Sequence, residues 1–192
     1  MEKLNFKDGW GLVEPNFIPQ PEDGLLFNQL LNEIAWQSGE ISLFGKTFPV
    51  PRLEAFYADD NKSYGYSGKR LKTMPFNPIL LRIKEKIEAQ SNFKFNSVLC
   101  NLYRDGNDSN GWHADNEREL GQQPIIASVS LGCMRIFEMK HNQTNQKLRF
   151  ELNSGSLLIL GGETQHYWKH QIAKKKSITT PRINLTFRTI LG

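Results

Sequence analysis

The chain has 192 residues, 39% of them hydrophobic, and a formal net charge of +4 at pH 7. This length suits one domain, residues 1–192, with a sizeable core. No apolar run approaches the length needed to span a bilayer, and the first eight residues lack the apolar core of a signal peptide. The composition therefore argues against a membrane-spanning or secreted protein, and we expect a monomer with no membrane partner.

The cysteines indicate a reducing compartment. Cys100 and Cys133 both lie in apolar, strand-like runs, which predicts buried, reduced thiols rather than a disulfide. We therefore expect a cytoplasmic protein, or a nuclear one if the source is eukaryotic.

Apolar periodicity predicts two helices, both in the N-terminal half. Residues 21–38 carry apolar side chains at helical spacing, and a second amphipathic helix is expected over 77–90, with Asn77 as its cap and Pro78 in its first turn. After Phe93 the chain changes to short alternating or apolar runs, which predict strands over 97–103, 125–130, 135–139, 147–152 and 156–160. Strands at this spacing are typical of a double-sheet or barrel β fold.

A further strand, expected over 182–188, has two unlike faces. Successive side chains of a strand point to opposite sides, so one face is apolar throughout. The other face carries two guanidinium groups, an amide and a hydroxyl, from Arg182, Asn184, Thr186 and Arg188. Guanidinium groups fix carboxylates through paired hydrogen bonds, so this face suits a small dianion. The alternative is an ordinary solvated strand face.

A candidate metal site begins at His113 and Asp115, which are two residues apart and project to the same side of an extended chain. One imidazole and one carboxylate form most of a facial triad for non-haem Fe(II), which needs a second histidine. We expect His141, in the polar stretch 140–147, to be a surface residue of a hairpin loop. The third ligand is then His166 or His170. Gly161 and Gly162 argue against a helix that would bring both to one face.

Basic residues are unevenly distributed. From residue 164 to 192 there are six lysines and arginines and no acid, including the triplet 174–176. A second basic group comprises Lys62, Lys69, Arg70 and Lys72. Such patches attract phosphates through counterion release, which favours a nucleic-acid partner. The alternative is that the lysines serve only solubility.

Several short motifs together resemble those of the AlkB family of Fe(II)- and 2-oxoglutarate-dependent dioxygenases, which remove alkyl groups from nucleic-acid bases. They are Asn101-x-Tyr103, His113-x-Asp115, a histidine about a dozen residues before Arg182, and the Arg-x-Asn-x-Thr-x-Arg pattern of 182–188. The resemblance runs from about residue 43 to the C-terminus and includes the segments 124–132 and 155–160. It implies an α+β fold with a double-stranded β-helix, or jelly-roll, core braced by N-terminal helices.

The resemblance also implies roles for particular residues. Fe(II) would be held by the catalytic and metal-binding set of His113, Asp115 and His170, leaving His166 without a family role. The co-substrates would be 2-oxoglutarate and O2, with 2-oxoglutarate bound by Asn101, Tyr103, Arg182, Asn184, Thr186 and Arg188. In this division Arg182 binds the far carboxylate, and Arg188 lies nearer the metal-binding one. The catalytic core would occupy about 98–192, and about 1–97 would supply the helices and a nucleotide-recognition segment.

The same resemblance implies a hairpin finger that fills the gap left by a flipped base. The residues in this position are Phe44, Gly45 and Lys46, with Phe44 as the wedge. The segment containing Tyr64, Gly65 and Tyr66 would contact the base, although either tyrosine alone could equally pack in the core. The family often contacts the base through the residue after the His-x-Asp motif. Asn116 stands there, where relatives have Asp, and this leaves the lesion preference open.

The function implied is oxidative dealkylation of DNA bases such as N1-methyladenine and N3-methylcytosine, coupled to decarboxylation of 2-oxoglutarate to succinate. The partner expected is nucleic acid, specifically DNA. Two alternatives stay open: an RNA demethylase of the same mechanism, and a non-catalytic jelly-roll module that binds modified nucleic acid.

Overall fold

The computed structural model of the chain describes residues 1–43, 46–59, 65–66, 69–70 and 72–191. For 41–43, 46–47, 65–66 and 69–70 the description is of the backbone alone. None of the helices in these ranges is both long enough and apolar enough to cross a membrane.

Two antiparallel sheets dominate the described part of the chain. The larger has nine strands: β1 (Glu2–Phe6), β2 (Gly9–Glu14), β3 (Gln37–Leu43), β4 (Lys46–Ala58), β7 (Thr73–Met74), β8 (Ser97–Tyr103), β10 (Ile126–Gly132), β13 (Ser156–Gly161) and β15 (Arg182–Arg188). Its order is β1-β2-β13-β10-β15-β8-β4-β3, and β7 pairs with β4 in parallel. Strands from both halves of the chain therefore share one sheet.

The smaller sheet has four described strands in the order β12-β11-β14-β9. These are β9 (Asn110–His113), β11 (Arg135–His141), β12 (Lys147–Leu152) and β14 (Trp168–Ile172). A separate two-stranded ribbon is formed by β5 (Gly65–Tyr66) and β6 (Lys69–Arg70). Side chains of the smaller sheet, including Met139 and Trp168, pack against Leu158 and Leu160 of β13, so the two sheets face each other. This is the jelly-roll core predicted from the sequence.

Two helices brace the larger sheet, as predicted. They are α1 (Glu22–Glu33) and α2 (Pro78–Ser91), and their buried leucines and isoleucines share one core with strands β8, β10, β13 and β15. The Asn77 side chain caps α2 by accepting a 2.8 Å hydrogen bond from the Leu80 backbone N–H. Helix α1 is shorter than the sequence pattern predicts. The Trp36 indole N–H donates to the Leu31 carbonyl, which satisfies an orphan acceptor of the last turn, and the chain continues into β3.

The expectation that His141 lies in a surface loop is wrong. His141 ends β11 and is fully buried, because the β1–β2 turn and Trp168 cover it. Its Nδ1 accepts hydrogen bonds from the backbone N–H groups of Gln143 and Thr144, both at 3.2 Å. The proton is therefore on Nε2, which donates to Asp8 Oδ2 at 2.8 Å. This histidine fastens the β1–β2 turn to the smaller sheet.

Short helical turns complete the described structure. A 3-10 turn spans Arg118–Leu120, and α3 spans Thr164–Tyr167. His166 lies in α3 and is exposed, whereas His170 lies in β14 and is buried. As predicted, the two histidines therefore do not lie on one face of a helix. Cys100 is buried, Cys133 is partly buried, and both are free thiols.

Candidate active site

Three side chains that the sequence analysis selected as metal ligands meet between the two sheets. His113 and His170 are register partners on β9 and β14, and their ring centroids are 4.2 Å apart. Asp115 follows β9 by two residues, and the ligand atoms of all three lie within 4.8 Å of one another. Two imidazoles and one carboxylate are the donor set of a facial non-haem iron site. The Oδ1 atom of Asp115 is buried and has no hydrogen-bond partner in the described structure, so it is available to a cation.

Both imidazoles are in the form that binds metal. His113 Nδ1 lies 2.7 Å from the Gly111 carbonyl oxygen, which can only accept, so Nδ1 carries the proton and Nε2 the lone pair. Burial lowers the pKa of His113. Burial, together with the neighbouring His113, lowers the pKa of His170 to about 3. At neutral pH no proton has to leave either ring before a metal binds.

Asp115 is held in place from two directions. Burial would raise the pKa of this carboxyl, but the Arg188 guanidinium, His170 and His113 lower it to about 2. Arg188 donates to Asp115 Oδ2 from Nη2 at 2.7 Å and from Nε at 3.2 Å, and both side chains are buried. The backbone N–H of Asp115 donates to Gln165 Oε1 at 2.9 Å. The Oδ2 atom of Asp115 is thus bonded within the protein, and Oδ1 is left for the metal.

The polar face of β15 lies inside the protein, so the alternative of a solvated strand face is wrong. It lines the cavity that contains the three ligands, together with Asn101 and Tyr103 on β8. Asn184 donates to Ser128 Oγ at 2.7 Å, and Thr186 donates to Asn184 Oδ1 at 3.1 Å. The amide and the hydroxyl therefore form the wall of the cavity and are fixed by each other and by β10.

Arg182 is a buried cation at the end of this cavity, away from Arg188. Its Nη2 donates to Ser130 Oγ at 2.9 Å, and the Tyr103 ring centroid lies 5.3 Å from its guanidinium carbon. Burial lowers its pKa to about 10, so it stays charged at neutral pH. Nε and Nη1 have no hydrogen-bond partner, and no carboxylate pairs with the group, within the described residues. A buried guanidinium in this state favours binding of an anion.

The residues predicted to contact the substrate are not all brought to the cavity. Asn116 is exposed and lines a surface cleft with His166 and Tyr167, outside the central cavity. The backbone of Lys46 begins β4, and that of Gly65 and Tyr66 forms β5. Phe44, Gly45 and Tyr64 lie outside the described residues.

The structure adds residues to the site that the sequence analysis missed. Arg52 and Glu54, on β4, form a buried ion pair at 2.5 Å, and Arg52 Nε donates to Asn101 Oδ1 at 2.8 Å. This bond fixes the Asn101 amide and leaves its Nδ2 as the group that can donate to a ligand. The signal was present, because two charges at i and i+2 stand in a strand that is otherwise largely apolar. Gln165 gave no such signal; its Nε2 is buried, lines the site and has no partner among the described groups.

A family model described as the 2OG-Fe(II) oxygenase superfamily matches residues 12–188. Solved structures show the same fold at low sequence identity. OsALKBH1 has a TM-score of 0.63 and 17% identity, with 96% of this chain and 100% of that chain covered. A prolyl hydroxylase from Trichoplax adhaerens has a TM-score of 0.64 and 12% identity, with 96% and 84% covered. The fold and the donor set are thus those of the Fe(II)- and 2-oxoglutarate-dependent oxygenases.

Similar sequences narrow the class. The alpha-ketoglutarate-dependent dioxygenase alkB homolog 3 of Bos taurus is 38% identical over 186 residues, which cover 92% of this chain and 64% of that protein. The DNA oxidative demethylase ALKBH2 of Homo sapiens is 38% identical over 177 residues, covering 86% and 68%. The chain belongs to the AlkB family of this superfamily. It spans just under two thirds of the length of the alkB homolog 3 proteins that it matches.

Proposed function

We propose that this protein removes alkyl groups from DNA bases such as N1-methyladenine and N3-methylcytosine by oxidation, with 2-oxoglutarate converted to succinate. One observation carries the proposal: a buried guanidinium with no carboxylate partner in the described structure, Arg182, lies in the same cavity as His113, Asp115 and His170. A metal site and an anion site in one enclosed space are what an oxygenase with a dicarboxylate co-substrate requires. The relatives named as DNA oxidative demethylases support the choice of substrate.

In this reaction, separate residues of the cavity would bind the metal and the co-substrate. His113, Asp115 and His170 would hold Fe(II), which when bound couples O2 and the decarboxylation of 2-oxoglutarate to hydroxylation of the alkyl carbon. Arg182 would bind the far carboxylate, and the Tyr103 ring lies 5.3 Å from its guanidinium carbon. The hydroxylated carbon attached to the base nitrogen is a hemiaminal, which releases an aldehyde and restores the base.

The remaining groups of the cavity fix the ligands and the co-substrate. Arg188 keeps Asp115 ionised and holds its Oδ2, so a single oxygen is presented to the metal. Asn101 would donate from Nδ2 to the co-substrate, since its Oδ1 is occupied by Arg52. Asn184 and Thr186 keep the wall polar and rigid. These roles explain why four buried polar residues alternate along one strand.

The test is turnover by purified protein with Fe(II), ascorbate and 2-oxoglutarate on oligonucleotides that contain one N1-methyladenine or N3-methylcytosine. We expect loss of the mass of one methylene from the base, together with formation of succinate. Asp115→Ala should abolish both products. Parallel DNA and RNA strands separate the proposal from an RNA demethylase. Binding of methylated strands without any turnover would instead mark a non-catalytic module and refute the proposal.

For the substrate, we extend the proposal to Phe44, Gly45 and Lys46 as a finger, and to Tyr64, Gly65, Tyr66 and Asn116 as base contacts. The backbones of β3 and β4 pair in antiparallel fashion up to Leu43 and Lys46, on either side of Phe44. A wedge matters only where a base stack must be opened, at a cost of about a few kcal/mol in a duplex.

Phe44→Ala should therefore depress repair in double-stranded DNA much more than in a single strand. Both substrates are measured at one low salt concentration, because phosphate contacts depend strongly on salt. Equal losses on the two substrates would contradict a wedge and indicate a general binding or packing role.

A further inference from the structure

The outer face of the smaller sheet carries an aromatic and basic cleft of about 330 Å³. It is lined by Trp112, Lys140, Asn142 and Lys169. Lys140 and Lys169 are register partners on β11 and β14, so their side chains are neighbours on one face. Trp112 is 43% exposed, whereas the other three tryptophans of the chain are half-buried or buried. A large exposed indole beside two lysines is unusual on the solvent-facing side of a sheet.

Trp112 is placed directly behind the candidate metal site. Side chains alternate along a strand, so Trp112 points away from the cavity into which its neighbour His113 projects. β9 is also an edge strand of the smaller sheet. The chain just before it touches β4, the strand that follows the proposed finger, through the Ser109 N–H to Pro51 carbonyl hydrogen bond at 2.9 Å. A nucleic-acid strand that inserts one base past this edge therefore has Trp112 within reach of a neighbouring base.

The charge of the cleft suits a polyanion. None of the residues that line it is acidic. Glu138, two residues along β11 from Lys140, accepts from Gln171 at 2.7 Å and lies 3.6 Å from Arg149, so its charge is already engaged. Proteins that bind single-stranded nucleic acid combine lysines that follow the phosphates with aromatic rings on which bases stack.

We propose that this cleft binds the single-stranded segment adjoining the target nucleotide, with one base stacked on Trp112 and the phosphates beside it on Lys140 and Lys169. The inference rests on the proposed function, because it assumes that the strand enters the cavity at the β9 edge. The proposed contact recognises neither the lesion nor the base sequence of the strand. Stacking accepts any base, and the lysines accept any phosphate.

The test is binding of a labelled strand of about a dozen nucleotides, with one central N3-methylcytosine flanked by thymines. The site sizes of single-strand-binding folds make this length sufficient. The protein is used with Fe(II) but without 2-oxoglutarate, so that no turnover occurs. Trp112→Ala should weaken binding about tenfold, from the loss of one stacked base. Trp112→Phe should stay within about twofold of the wild type, because a smaller ring still stacks.

The lysines are tested by salt dependence. Lys140→Gln and Lys169→Gln should each reduce the slope of log affinity against log salt by about 0.7, the value for one phosphate contact of a single strand. Arg82→Gln is the matched control, since it removes one exposed positive charge from α2, which packs on the other sheet. This control should leave the slope unchanged.

Unchanged affinity in Trp112→Ala would overturn the inference and leave a protein as the better candidate for this surface. Equal losses in the Ala and Phe variants would also overturn it, because stacking would then not explain the effect. Failure of the proposed function would look different. The wild type would bind the strand, with the cleft contributing, and would release no aldehyde once 2-oxoglutarate is added.

Discussion

Replacing Arg188 by methionine should destabilise the metal-free protein more than almost any other single change in this cavity. The guanidinium lies 2.7 Å from Asp115 Oδ2, and both side chains are nearly inaccessible to solvent. The lowering of the Asp115 pKa from 3.8 to about 2 corresponds to about 2 to 3 kcal/mol in favour of the charged form. Without Arg188, burial of the carboxylate is opposed only by the smaller effects of His170 and His113. Breaking a buried pair on one side costs about 3–5 kcal/mol.

The assay is urea unfolding at neutral pH, with thermal unfolding as a second measure. A loss of this size should lower the melting temperature by about 6 to 20 °C for a chain of this length. Arg149→Met is the matched control. That arginine is 64% exposed and lies 3.6 Å from Glu138, and surface pairs contribute at most about 1 kcal/mol.

A double variant sharpens the test. Adding Asp115→Asn to Arg188→Met should recover part of the lost stability, because a neutral amide does not need a cation beside it. If Arg188→Met costs no more stability than Arg149→Met, the buried pair does not stabilise the fold as expected. If the effects of the changes at Arg188 and Asp115 are simply additive, the loss does not come from an uncompensated charge.

Three further outcomes follow from the site. His170→Ala should abolish stoichiometric Co(II) or Fe(II) binding measured by elemental analysis, while His166→Ala retains it; the reverse result would reassign the ligand. Arg182→Ala should raise the 2-oxoglutarate concentration needed for half-maximal turnover by orders of magnitude, and Arg182→Lys should rescue poorly because it lacks the planar fork. An unchanged 2-oxoglutarate requirement in Arg182→Ala would show that other residues bind the far carboxylate. The free energy of unfolding of the metal-free protein should fall by about 2 kcal/mol as the pH is lowered from 7.5 to 5. The reason is that a histidine in the unfolded chain takes up a proton below about pH 6.5, whereas His170 in the folded protein stays neutral down to about pH 3. His170→Gln should flatten this profile in urea unfolding, and an equally steep profile in that variant would contradict the assignment.

Features encoded by local pattern were predictable from the sequence. The bounds of β8 and β15 match the predicted strands, because alternation along a strand is a local property of the chain. Asn77 was predicted as a cap from its place before Pro78, and it is one. The spacing of His113 and Asp115 predicts that they bind one metal, because side chains two residues apart in an extended chain lie on the same side.

Features that depend on distant contacts were not predictable in this way. The polar neighbours of His141 predict a loop residue, but its side chain is buried and bonded to Asp8, 133 residues away in the sequence. Arg52 donates to Asn101, which lies 49 residues later in the sequence. In both cases the burial of a polar side chain is compensated by a partner that no local pattern reveals.

The β1–β2 hairpin has a consequence for solubility. It covers the β2-facing edge of β13, whose six residues are all buried and include a run of four leucines and isoleucines. The turn of the hairpin is fastened to the smaller sheet through Asp8 and through the Lys7 carbonyl, which accepts from the Trp168 indole. A chain without residues 1–14 would present β13 as a long, apolar, unpaired edge, the kind of template on which sheets of separate molecules join. We therefore expect such a truncation to self-associate into β-rich aggregates, so that the hairpin protects the molecule from its own copies.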